Sequence, residues 1–127
     1  MAKVKRVKLE PKARIRRRLM RLWVEAVRRR AGDKCEVSMV SMKGLNAHHI
    51  EARANRALRY DPRNGILLTP LFHKFGKDSF HRSPAWSMHW MALAHPEKLQ
   101  YILDHRDDEI DLNDRAVLAK LEEELRK

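Results

Sequence analysis

Three histidines and one asparagine carry the chemistry this sequence could do. His48 and His49 are adjacent, Asn64 stands in the run Asp61-Pro62-Arg63-Asn64-Gly65-Ile66-Leu67-Leu68, and His73 follows Phe72. Imidazole takes up a proton near neutral pH and, when neutral, binds divalent metals. Hydrolysis of a phosphodiester needs both abilities: an activated water, and a cation on the phosphoryl and leaving oxygens. Neighbouring side chains on a strand point to opposite faces. A strand end or bulge relaxes that rule, so one histidine can bind metal while its neighbour holds a water. His73, on a following helix, would complete the metal site from the other side.

The elements that must position these residues are readable from pattern. Residues 35–50 alternate apolar and polar and break at Lys43-Gly44, which predicts a two-stranded hairpin. Residues 51–63 are polar and basic and close on an Asp61-Pro62 turn. Asn64-Gly65 then turns into a short apolar strand, and Pro70 opens a short helix that Gly76 shortens. Upstream, residues 1–10 read as a flexible arm. Pro11 suits a first helical turn, and Ile15, Leu19, Leu22, Trp23, Ala26 and Val27 form one apolar stripe that stops at Gly32. Downstream, helices are expected over 85–94 and 96–106, the second begun by Pro96 with Leu99, Ile102 and Leu103 inward. Asn113 would cap a last helix with Val117, Leu118, Leu121 and Leu125 inward, and Trp86, Trp90 and Met91 read as core.

The order strand with His-His-Ile, loop, Asn-Gly-Ile-Leu-Leu, then helix with histidine resembles the HNH endonuclease family, over about residues 35–80. The upstream helix and the Asp-Pro before the turn look like its small phage-type members. The resemblance implies an α+β fold: a ββα-metal core at 35–82, a basic arm and helix at 1–34, and a helical C-terminal extension at 83–127 of the same domain. It implies that His49 is the general base, that Asn64 holds the loop and the base in position, and that His48 and His73 bind the metal. The metal would contact a non-bridging phosphate oxygen and the departing 3′ oxygen, leaving 5′-phosphate and 3′-hydroxyl ends. Two imidazoles favour zinc, nickel or manganese, while phosphate and water ligands suit magnesium.

The chain departs from the family at two places. Many members hold a structural zinc with paired CxxC motifs, but here the pairs read Cys35-Glu36-Val37-Ser38 and Thr69-Pro70-Leu71-Phe72. No structural zinc is expected, and Cys35 reads as a small buried residue. Some members also carry a histidine one turn after the helical one, where this chain has Gly76 and Lys77. Two protein ligands plus waters and phosphate then remain. His81 could reach in as a third but reads first as an exposed loop histidine, and His89, His95 and His105 read as ordinary surface or core residues.

Composition narrows the partner. The 127 residues carry a net charge of +11 and suit one domain. Residues 1–34 hold 14 Lys and Arg against 3 acids, an excess equal to the charge of the whole chain. Residues 35–82 add +4, and the acidic residues 83–127 return −4. So concentrated a basic segment calls for a polyanion. Arg16, Arg17, Arg18 and Arg21 on the first helix, with Arg53, Arg56, Arg59 and Arg63 between the motif halves, are the expected contacts to DNA phosphates. No membrane span is expected, nor a secretory signal. One cysteine suits a reducing cytoplasm, in a bacterium or a phage-infected cell. The expected activity is metal-dependent DNA cleavage, one strand per site, by a monomer or a dimer. Two alternatives stand: a DNA-binding protein whose HNH-like core has lost catalysis, and an accessory nuclease working with phage packaging proteins.

Overall fold

The computed structural model describes residues 7–127; residues 1–6 of the expected arm lie outside it. Four helices, α1 (Lys12–Ala31), α2 (Pro84–Ala94), α3 (Pro96–His105) and α4 (Arg115–Leu125), surround a two-stranded antiparallel sheet, β1 (Asn46–His49) and β2 (Gly65–Leu68). A 3₁₀ turn spans Pro62–Asn64 and a single π-helical turn spans Leu71–Phe75. The arrangement is α+β, and no helix among the described residues is long and apolar enough to cross a membrane.

α1 forms where the apolar period predicts it. Leu19, Leu22, Trp23 and Val27 are buried, and Ile15 and Ala26 flank them. Gly32 ends the helix in the left-handed region at φ 65°, where its N–H reaches the carbonyls of Arg28 and Arg29. The arm expected before it is tied down by residue 10. Glu10 pairs with Arg18 at 2.6 Å, and its carbonyl accepts from Arg115 Nη1 at 2.6 Å.

The hairpin expected over residues 35–50 does not form. The Met39 N–H donates to the Cys35 carbonyl at 2.8 Å and the Cys35 N–H to the Val40 carbonyl at 3.0 Å, so this segment is a turn. Met39, Val40 and Met42 are exposed, leaving the alternation without a buried face to fix a register. The strand starts at Asn46, and its partner is the fully buried β2, with Asn46 opposite Leu68 and His48 opposite Ile66.

Two features lock β2 in place. Gly65 lies where α1 crosses the sheet: a Cβ there would come within 2.4 Å of Val27 Cγ2 and 2.9 Å of Trp23 Cζ2. Only glycine lets helix and strand approach this closely. The edge of β2 away from β1 is also closed. The Leu67 N–H donates to the Glu36 carboxylate at 2.7 Å, and its carbonyl accepts from the Glu36 N–H at 2.8 Å. The Gly65 carbonyl accepts from Arg30 at 2.8 Å and from Lys98 at 2.9 Å.

The C-terminal helices complete the core. Ser83 caps α2 through the Trp86 N–H, and Pro84 and Pro96 open α2 and α3. Met91, Ile102, Leu118 and Leu125 are buried, and Trp86 and Trp90 pack against the core. Leu103, expected inward, is 45% exposed. α4 is capped by Asp114, not Asn113: the Asp114 carboxylate accepts from the Ala116 N–H at 2.8 Å. The Asn113 N–H is turned instead to Asp111, at 2.9 Å.

Candidate metal centre

β1 supplies His48, the π-helical turn supplies His73, and the chain then doubles back to supply His81. The wide turn starts on Thr69, whose carbonyl accepts from the His73 N–H at 2.9 Å. It ends at Gly76, where a Cβ would lie 2.7 Å from the Leu71 carbonyl oxygen. The Phe80 N–H then donates to the Phe72 carbonyl at 2.8 Å and the His81 N–H to the His73 carbonyl at 3.0 Å. One Phe-His pair is thereby laid beside the other. His81 is exposed and lies in a turn, as expected, yet it also reaches in as the alternative reading allowed: its Nε2 lies 3.0 Å from Nε2 of His73.

The three rings meet edge-on, with centroids 4.6 Å apart for His73 and His81 and 5.0 Å for His48 and His73. One ring nitrogen from each of the three lies within 4.8 Å of the other two. Burial, reinforced by the neighbouring histidines, pushes His48 down to about 3. Burial, then His81, then Lys74 push His73 down to about 4. Both are therefore neutral at physiological pH, with lone pairs to offer. His73 Nδ1 is buried without a hydrogen-bond partner. Three converging imidazoles, two of them neutral and one of these with an orphaned nitrogen, could hold a divalent cation. Compared with two imidazoles, this donor set shifts the preference toward zinc or nickel and away from magnesium.

His49 faces the other way, as alternation along a strand requires. Its ring stacks on Trp23, with centroids 3.8 Å apart and planes 5° from parallel. Trp23 is held in turn by its Nε1–H, which donates to the Asp61 carbonyl at 2.8 Å. His49 Nε2 is 2.9 Å from the Arg59 carbonyl oxygen, which only accepts. Nε2 therefore carries the proton, and Nδ1 keeps its lone pair. Burial lowers the His49 pKa, Arg53 and Arg59 push the same way, and the Arg59 carbonyl opposes them. His48 and His49 nevertheless border one open cleft of about 450 Å³, with His73, His81, Arg53 and Lys74.

Asn64 is fully buried and pins the loop between the strands at both ends. Its side-chain oxygen accepts from the Glu51 N–H at 2.7 Å, and its amide donates to the carbonyls of Glu51 at 3.0 Å and Leu58 at 3.2 Å. That loop carries the Arg59 carbonyl on which His49 rests. No family model, curated protein or solved structure with which the chain was compared matches it.

The eight arginines expected to face phosphate divide into two groups. Arg18 is held by Glu10 and Glu122, Arg16 reaches the Leu112 carbonyl, and Arg63 pairs with Asp61 over the ring of Tyr101. These three serve internal contacts. Arg17, Arg21, Arg53 and Arg56 are exposed, and Arg59 donates through Nε to the Arg53 carbonyl at 2.8 Å.

Acid should act on this centre directly. His48 and His73 titrate near 3 and 4 when folded, against an ordinary 6.5. Below pH 6.5 the unfolded chain therefore binds more protons than the folded one. Their contribution is complete above pH 6.5 and is lost as pH falls toward 3. For His48 alone, solvent access holds the loss to about 3 kcal/mol. Thermal unfolding of metal-free protein across that range should show a falling Tm, and His48→Gln should flatten part of the fall. Parallel curves for the two proteins would contradict this assignment.

Proposed function

We propose that the protein is a metal-dependent DNA endonuclease of the HNH type, with residues 35–82 as a ββα-metal core. One observation carries the reading. Three histidines converge as a metal-binding set beside a fourth whose protonated nitrogen is fixed by a backbone carbonyl. Metal-binding histidines alone would suit many proteins, but a neutral histidine of set tautomer on the same cleft supplies the base that hydrolysis needs.

The roles follow from the contacts. His49, with Nε2–H given to the Arg59 carbonyl, takes the proton of the attacking water on Nδ1. Trp23 stacked on its ring keeps the imidazole from swinging. His48, His73 and His81 would hold the ion. A bound divalent ion supplies Lewis-acid stabilisation of charge on the phosphoryl and leaving oxygens. Asn64 is a positioning residue: it braces the loop that holds Arg59. With one such set among the described residues, each encounter would cut one strand.

Supercoiled plasmid incubated with magnesium, manganese, nickel or zinc should be converted to the nicked form, with 5′-phosphate ends. Chelator should stop the reaction, and re-addition of the effective metal should restore it. Intact plasmid with every metal would overturn the reading, as would cleavage that persists in chelator.

A further inference from the structure

The histidine cleft is the end of a longer basic surface. Arg14, Arg17 and Arg21 recur at three- and four-residue steps on α1, so they share one face, and all three are exposed. Arg14 and Arg17 meet no acid among the described residues, and Arg21 has only Glu25, at 3.9 Å. Arg14, Arg17, Arg18 and Arg21 wall one open cleft. Arg17 also walls a second, with Arg16, Arg53 and Arg59. Arg53 in turn walls the third, which holds the histidines. Through Arg17 and Arg53 the three clefts run on from one another.

We propose that this surface is a single phosphate track, in which Arg14, Arg17 and Arg53 contact the backbone of DNA and lead a strand into the histidine cleft. Arg14 to Arg21 spans about 10 Å of helix axis, which matches about three phosphates of one strand. The opposite face of α1 decides against a lipid surface. A helix lying on a membrane must offer a free apolar face, whereas Leu19, Leu22, Trp23 and Val27 are buried in the core. The track also separates arginines that the sequence presents as one group: Arg18 and Arg63 are held by acids, and Arg14 joins the working set. Where the track leads rests on the nuclease reading; the track itself does not, because phosphate contacts need no metal.

The test is binding of a short labelled duplex DNA in chelator, followed by anisotropy from about 50 to about 200 mM salt. Arg14→Gln, Arg17→Gln and Arg53→Gln should each weaken binding and lower the slope of log K against log salt by about one. Lys120→Gln, on the exposed side of α4 and outside all three clefts, should leave the slope unchanged. No parental binding in chelator, arginine variants with the parental slope, or tighter binding to phosphatidylserine vesicles than to DNA would each overturn the track. Salt-dependent DNA binding by a parent that cuts no plasmid would uphold the track and sink the nuclease reading. The two failures are thus distinct.

Discussion

His49→Ala is expected to lower the rate of plasmid nicking at saturating DNA by about 10²- to 10⁴-fold, the usual contribution of a positioned general base. The effect should fall on kcat. His49 is not among the three converging ligands, so metal uptake should persist, and DNA binding in chelator should stay near the parental value. The alanine also removes the ring stacked on Trp23 and leaves the Arg59 carbonyl without its donor. His49→Gln is therefore the informative companion: its amide can still donate to Arg59, but it takes no proton at neutral pH. Both variants should bind DNA and metal yet cut slowly. Parental nicking rates in the glutamine variant would remove His49 from the mechanism.

Asn64→Ala is expected to destabilise the fold by about 4 kcal/mol, a large part of the 5–15 kcal/mol of a typical domain. The reasoning is a count of orphaned groups. The Glu51 N–H and the carbonyls of Glu51 and Leu58 each lose their Asn64 partner, and Asn64 sits where water does not reach. Each unsatisfied buried group costs about 1–3 kcal/mol. Asn64→Asp should cost at least as much: a carboxylate still accepts from the Glu51 N–H, but it turns an uncompensated charge toward the carbonyls of Glu51 and Leu58 where water does not reach. Urea denaturation monitored by tryptophan fluorescence measures both variants. A loss below about 1 kcal/mol for the alanine variant would show that the loop is braced elsewhere. With the fold restored by low temperature, nicking should remain depressed, since the Arg59 carbonyl would no longer be held in place.

How far the sequence discloses this molecule depends on whether the governing interaction is local. α1 is legible because its apolar residues follow the helical period and Gly32 can adopt the left-handed stop. α3 is legible because Pro96 marks its first turn. The hairpin over residues 35–50 misleads, because alternation reveals a strand only when one face is buried, and Met39, Val40 and Met42 face outward. His48 and His73 converge, whereas His49 faces Trp23 on the other side of β1 and Asn64 braces the loop from the 3₁₀ turn. His81 reads first as a loop histidine because a wide turn and a chain reversal, not local pattern, bring it back to His73. The signal for it is the repeat of Phe-His at 72–73 and 80–81, whose backbones bond to each other. Charge is the least legible quantity of all. Nothing near Arg18 in the chain announces Glu122, 104 residues away, as its partner.

A polyanion gathers basic proteins copy against copy, the condition under which open strand edges join into fibrils. A sheet of two strands is ordinarily poor at resisting this. Here the outer edge of β2 is already occupied: Glu36 takes the Leu67 N–H and carbonyl, and Arg30 and Lys98 take the Gly65 carbonyl. The charged groups that seal it come from elements on either side of β2 in sequence, so the seal forms only once the chain has folded. If the protein crowds along DNA as proposed, β2 offers no open edge as a template for a neighbouring strand.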